Sequence, residues 1–231
     1  AKKIIITGGA TRIGAAIAKS LAAHGVQITL HYNRSGKEAK KLKTELENFG
    51  TEVFLVKSDL SKISQTKKII SFAYKKMKGL DCLINNASIF EKDNLINFNE
   101  NSFNNHININ LKAPAVLTQY FKKYLKLKKG CVINIIDQRI FKLTPFFFSY
   151  TLSKAGLQTL TKTAAMSLAP NIRVNGIAPG PTIKNKRQSE NHFKKQWQSL
   201  ILKEKVDSKN ICETVKYLIN NNNITGQIIT V

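Results

Sequence analysis

Tyr150-Thr151-Leu152-Ser153-Lys154 is the stretch whose residue types and spacing point most directly to chemistry. On a helix, a tyrosine and a lysine four residues apart share one face. An ammonium beside a phenol favours the phenolate, bringing a group whose ordinary pKa is about 10 towards a useful range. Such a tyrosine can donate a proton while a cofactor delivers hydride. Tyr-x-x-x-Lys arises readily by chance in a lysine-rich chain, so its position matters more than its presence. Asp137 precedes it, at the end of the apolar run Cys131 to Ile136. A carbonyl acceptor needs a neutral donor for its developing oxyanion. A carboxylate would repel that oxyanion, yet it could bond amino or ring N–H groups and pass a proton. The plainer alternative for Asp137 is a cap on the loop that follows.

A second constellation opens the chain. Lys2 to Ala18 reads KKIIITGGATRIGAAIA, three β-branched residues followed by a glycine turn and an alanine-rich segment. A strand, a turn from Gly8 to Gly14 and a helix N-terminus make a phosphate cradle, because free N–H groups and the helix dipole point at the anion. Gly8, Ile13 and Gly14 are the expected contacts. Arg12 stands where many such turns carry another glycine. After the second strand comes His31-Tyr32-Asn33-Arg34-Ser35, where a site preferring NAD usually places a carboxylate for the ribose. None is present. Arg34 and Ser35, helped by His31 or Asn33, suit a 2′-phosphate, since guanidinium matches phosphate oxygens. NADPH is the expected cofactor. Asp59 is placed to accept from the adenine amino group with Leu60 beside the ring. Ala87 and Ser88 are small enough for backbone to lie against a nicotinamide ribose.

These motifs follow strands in a repeating pattern. Strands are expected at Ile4 to Ile6, Val26 to Tyr32, Thr51 to Lys57, Leu80 to Asn85, Cys131 to Ile136, Ile172 to Ile177 and Gln227 to Val231. Between them lie helices at about Ile13 to His24, Lys37 to Phe49, Ser61 to Lys78 (with Ser61 as N-cap), Glu100 to Leu127, and Tyr150 to Leu168. Two more are expected near His192 to Leu202 and Ser208 to Asn220. Alternation of this kind means β-α-β units: an α/β fold, one doubly wound parallel β-sheet of about seven strands with helices on both faces. Residues 1–231 read as one domain, with a polar segment from Pro179 to about Glu190 and a substrate lid at about 181–203. Ligands in such folds bind beyond the carboxyl ends of the strands.

The chain carries 37 Lys and Arg against 14 Asp and Glu, a formal charge of +23. Arg12, Arg34, Arg139, Arg173 and Arg187 are its only arginines. Nucleic-acid recognition favours arginine forks, so the charge points to a solvated lysine surface, and no nucleic-acid partner is expected. Cys82, Cys131 and Cys212 are widely spaced without C-x-x-C, which fits reduced thiols in a cytoplasmic protein and gives no metal site. No apolar run approaches membrane-spanning length.

TGGATRIG, Asn85-Asn86-Ala87, Asn110, Tyr150 with Lys154, and Pro179-Gly180 resemble the short-chain dehydrogenase/reductase family, with its Rossmann-type fold, over essentially the whole chain. Within that family the chain is similar to the pteridine reductase branch, which includes dihydromonapterin reductases. The branch features are Arg12, His31-x-x-Arg34-Ser35, Asn86-Ala87-Ser88-x-Phe90, and Asp137 where most relatives have serine. The resemblance implies that Asp137, Tyr150 and Lys154 deliver the proton, with Asn110 supporting Lys154 through water. It implies that Lys154 holds the nicotinamide ribose, and that Asn86, Pro179, Gly180 and Thr182 line the cofactor. Phe90 would sandwich a pterin against the nicotinamide, with Ser88, Arg12 and Pro181 also at the substrate. Hydride would pass to a carbon of a C=N bond as Tyr150 protonates the nitrogen. A homotetramer packed through two long helices is also implied. The competing expectations are a 3-oxoacyl-thioester or other carbonyl reductase and, in another class, a non-catalytic NADP- or nucleic-acid-binding protein. Family members continue through an Asp-Gly-Gly segment beyond the position at which this sequence stops, Val231.

Overall fold

Ile4, Ile5 and Ile6 show how the sheet is built. Successive strand side chains point to opposite faces, and Ile4 and Ile6 join one core cluster while Ile5 joins another. A strand apolar at every position must therefore be covered on both sides. The computed structural model, which describes residues 2–126, 128–184 and 189–231, has that arrangement.

Seven strands, β1 (Lys3–Ile6), β2 (Gln27–Tyr32), β3 (Glu52–Lys57), β4 (Cys82–Asn85), β5 (Gly130–Ile135), β6 (Ile172–Ala178) and β7 (Ile228–Thr230), form one sheet. Its order is β3-β2-β1-β4-β5-β6-β7, and every neighbouring pair is parallel. The helices are α1 (Arg12–Leu21), α2 (Gly36–Glu47), α3 (Ile63–Met77), α4 (Glu100–Ile107), α5 (Ala113–Leu125), α6 (Phe148–Leu168), α7 (Glu190–Gln198) and α8 (Ser208–Asn220). Ile17 of α1, Leu42 and Leu46 of α2 and Ile211 and Val215 of α8 pack on one face. Ile69 and Ile70 of α3, Leu117 and Phe121 of α5 and Ala165 of α6 pack on the other. Each such isoleucine, leucine, valine or phenylalanine side chain taken from water stabilises the layers by about 1.5–3 kcal/mol before the entropy of ordering it is counted.

Strand order reverses between β1 and β4, so a crevice opens beyond Ile6 and Asn85. Three local expectations differ from what is seen. The helix expected over Glu100 to Leu127 is divided by a π-helical turn, Asn108–Lys112, between α4 and α5; Leu127 lies outside the described residues. Ser61 does not cap α3. Lys62 holds that position without a side-chain cap, because the Ser61 hydroxyl donates instead to Asp59 Oδ1 at 2.7 Å. Helix α7 begins and ends earlier than the stretch His192 to Leu202, and positions 185–188 of the expected lid lie outside the described residues.

Candidate active site

The glycine turn fits against the end of β4 with no room to spare. Gly8 has φ +60°, and a Cβ there would stand 2.9 Å from Ala87 Cα. A Cβ on Gly14 would meet Gly8 O at 2.2 Å. Side chains at either position would block the turn, which is why both are glycine. Asn86 and Thr7 lock the two strand ends together. The Asn86 amide donates to the carbonyls of Thr7 (3.0 Å) and Gly8 (3.1 Å), and Thr7 Oγ1 accepts from the N–H groups of Asn86 and Ala87.

His31 has a different position from the one its motif suggested. It is 2% exposed, beneath the turn rather than at its mouth. Its Nδ1 accepts from Gly8 N–H at 3.1 Å, so Nε2 carries the proton and donates to Ser58 O at 3.0 Å. Burial pushes its pKa down to about 4. A neutral, doubly bonded ring cannot meet a phosphate. It props the turn instead. Asn33 and Arg34 are exposed and Ser35 half-buried at the N-cap of α2, along a cleft of about 540 Å³ that Tyr32, Arg34, Lys37, Lys40 and Lys57 help to line. Four cations around one cleft suit a phosphate group.

Asp59 has Oδ1 engaged by the Ser61 hydroxyl and N–H, and chiefly the hydroxyl bond holds its carboxyl below the usual range. Leu60, expected beside an adenine, is instead buried with Ile69 and Ile70, which leaves its side chain in the core. Arg12 is exposed and has φ +52°; its guanidinium donates to the carbonyls of Ile183 (3.0 Å) and Lys184 (3.3 Å). It therefore ties the glycine turn to the segment after β6. Ile13 packs half-buried against the core. Pro179 O accepts from Gln138 N–H, Gly180 N–H donates to Val231 O, and the Thr182 hydroxyl donates to Gly180 O. Pro181 is half-buried beside them.

At the carboxyl end of β5 the groups expected to deliver the proton converge. Tyr150 Oη donates to Asp137 Oδ2 at 2.7 Å, while Asp137 Oδ1 accepts from Arg139 N–H at 2.8 Å. Asp137 thus both caps the 3₁₀ turn Gln138–Ile140 and faces the phenol. Lys154 is 2% exposed and donates to Ile135 O at 2.8 Å, with its Nζ 5.7 Å from the Tyr150 ring centre. Burial brings its pKa down to about 8. The expected lowering of the Tyr150 pKa is reversed: burial first, then the Asp137 carboxylate, hold it well above 10. The carboxylate lies in hydrogen-bonding contact and the ammonium does not, so the phenol keeps its proton. A protonated phenol is the donor form.

Asn110 sits in the π turn, fully buried. Its amide does not bond Lys154 directly. It accepts from Ile89 N–H (2.9 Å) and from the Ser88 hydroxyl (3.2 Å), and it donates to Ile89 O and Ser153 Oγ, each at 3.0 Å. His106 Nε2 accepts from Glu91 N–H at 3.3 Å. Phe90 is thus held between two pinned neighbours. Its ring stacks on Phe147 (4.3 Å, 9° between planes), meets Tyr150 edge-on at 4.6 Å, and Arg139 lies over Phe147 at 4.4 Å. Sequence reading singled out neither His106 nor Phe147. A histidine and a phenylalanine in polar and aromatic runs carry no spacing signal; their roles exist only once α4 and α6 meet.

A family model described as short chain dehydrogenase matches residues 2–195. The chain belongs to that family. It is 29% identical, over all of its length and 97% of the relative's, to the 3-oxoacyl-[acyl-carrier-protein] reductase FabG of Staphylococcus epidermidis. Among solved structures, it is similar to FolM alternative dihydrofolate reductase 1 from Brucella suis in complex with NADP. The TM-score is 0.94 at 38% identity, with 99% of this chain and 92% of that one covered. A short chain dehydrogenase from Burkholderia cenocepacia in complex with NADP gives a TM-score of 0.93 at 25% identity, covering 100% of this chain and 96% of that one.

Proposed function

We propose that the protein is an NADPH-dependent pteridine reductase that reduces a C=N bond of a dihydropteridine, with dihydrofolate as a further candidate. The Tyr150–Asp137 hydrogen bond carries this reading. Support for the cofactor comes from the glycine turn at the start of α1 and from the cations around Arg34, together with the NADP held by the similar solved structures.

NADPH supplies a hydride when bound. The chain's own residues do the rest. Tyr150, kept protonated, gives its proton to the nitrogen of the reduced bond. Asp137, already bonded to that hydroxyl, stabilises the donor's geometry and accepts from N–H groups of the substrate. Lys154 holds positive charge beneath the ring and is available to ribose hydroxyls. Phe90, with one face on Phe147, offers the rest of its ring to a planar pterin, and Ser88 lies within reach of the same phenol. Arg12, from the glycine turn, and Pro181, from the segment after β6, border the substrate. A cytoplasmic homotetramer completes the reading.

The second reading, a 3-oxoacyl-thioester reductase, rests on the FabG likeness. Asp137 speaks against it, since a carboxylate beside a developing oxyanion raises its energy. Oxidation of NADPH followed in parallel with dihydromonapterin, dihydrobiopterin, dihydrofolate and an acetoacetyl thioester separates the two. Turnover of a dihydropteridine is expected, and turnover of the thioester alone overturns the proposal.

A further inference from the structure

Asp93 is a buried carboxylate, 8% exposed, and among the described residues no salt bridge is formed to it. Its partners all come from the start of α6. Its two oxygens lie 3.2 and 3.3 Å from Ser149 N, one of them accepts from the Ser149 hydroxyl, and its backbone carbonyl accepts from Phe147 N–H at 2.8 Å. The first N–H groups of any helix lack partners within the helix, and a cap side chain at the preceding residue normally accepts from the second. Here the preceding residue is Phe147, which has no acceptor and sits at φ +60°, ψ +41°. The cap is supplied from 56 residues upstream. A negative group there also meets the positive end of the helix dipole.

The residue after Ser149 is Tyr150, and the residue before α6 is the ring stacked on Phe90. We propose that Asp93 is a positioning residue: by capping α6 across the fold it sets Tyr150 against Asp137 and holds Phe147 on Phe90. The loop after β4 thereby aligns the proton donor with the aromatic ring that borders the substrate. Helix α6 runs for 21 residues packed on β6 and the π turn, so loss of the cap loosens its first turn rather than the fold. The proposal rests on the reductase reading of Tyr150, not on the pterin, and it is tested with whichever substrate the wild type reduces.

Asp93→Ala and Asp93→Asn are compared with wild type for kcat, for substrate KM, and for NADPH affinity by fluorescence titration. That titration also counts folded sites. Since the glycine turn does not touch the loop's cap, Asp93→Ala is expected to lower kcat per NADPH-binding site by about 10–100-fold, the scale of a small misplacement of a reacting group. NADPH affinity stays within about twofold, a fraction of one tenfold step. Asp93→Asn, which keeps one acceptor oxygen, recovers part of kcat. Adding Ser149→Ala to Asp93→Ala costs little more, because the two act as one unit. Unchanged kcat per site in Asp93→Ala overturns the proposal. So does a loss that only follows the fraction of folded sites.

Discussion

On the proposed reading, a phenol 5% exposed and held by a carboxylate 2.7 Å away is a proton donor kept loaded. The sequence pairs Tyr150 with Lys154 at helical spacing, and that spacing suggests the wrong electrostatic partner. Which charge touches the hydroxyl depends on the end of β5, and only the folded chain brings Asp137 there. Removing the hydroxyl in Tyr150→Phe is expected to cut turnover about 10³-fold, the usual range for a lost general acid, while NADPH titration remains near wild type. Turnover within tenfold of wild type contradicts the role. At the cation-lined cleft beside α2, proposed to take the 2′-phosphate, Arg34→Ala is expected to weaken NADPH by about 10–100-fold, as for a lost bond to a charged group. NADH binding, lacking the 2′-phosphate, changes little. Equal losses for the two nucleotides would remove Arg34 from the phosphate site.

At the scale of elements, the β1–α1 turn stands on a buried histidine. His31 has a pKa of about 4 in the folded chain against 6.5 when free, a difference of roughly 3 kcal/mol against protonation. Between those values the unfolded chain binds the extra proton, so stability falls as pH drops from about 6.5 to 4. Urea unfolding across that window is expected to show the fall, and His31→Gln to flatten it by up to ~1.4 kcal/mol per pH unit. Parallel slopes would mean that His31 does not titrate with folding. The strands themselves were legible: Ile4 to Ile6, Ile133 to Ile136 and the glycine turn announce a doubly wound sheet, because burial on both faces leaves unbroken apolar runs. The π turn was not, since nothing in Asn108-Ile109-Asn110 distinguishes it from α-helix. Nor was the cap on α6. Asp93 and Ser149 meet only through tertiary packing, and a serine without a neighbouring acidic residue gives no capping signal. His31 was recognised as part of the site but misplaced, because a motif fixes order along the chain and not depth.

For the whole molecule, the excess of lysine leaves a basic surface around a sheet whose working edge is the crevice between β1 and β4. No described helix is long and apolar enough to cross a membrane. Helix α6 nonetheless exposes Met166 (81%) and Leu152 (45%), apolar surface that a neighbouring copy would cover. On the proposed homotetramer, light scattering is expected to give four times the protomer mass of 25.9 kDa; a monomer or dimer mass would refute that proposal.

On the proposed reading, Asp137 commits the Tyr150 site to a C=N substrate. The most direct test is the ratio of kcat/KM for a dihydropteridine to kcat/KM for an acetoacetyl thioester, measured for wild type and for Asp137→Ser. A ratio above about tenfold is expected in wild type, or ~1.4 kcal/mol of discrimination, with its collapse when the carboxylate becomes a neutral hydroxyl. A wild-type ratio below one, or one that Asp137→Ser leaves unchanged, would contradict that reading.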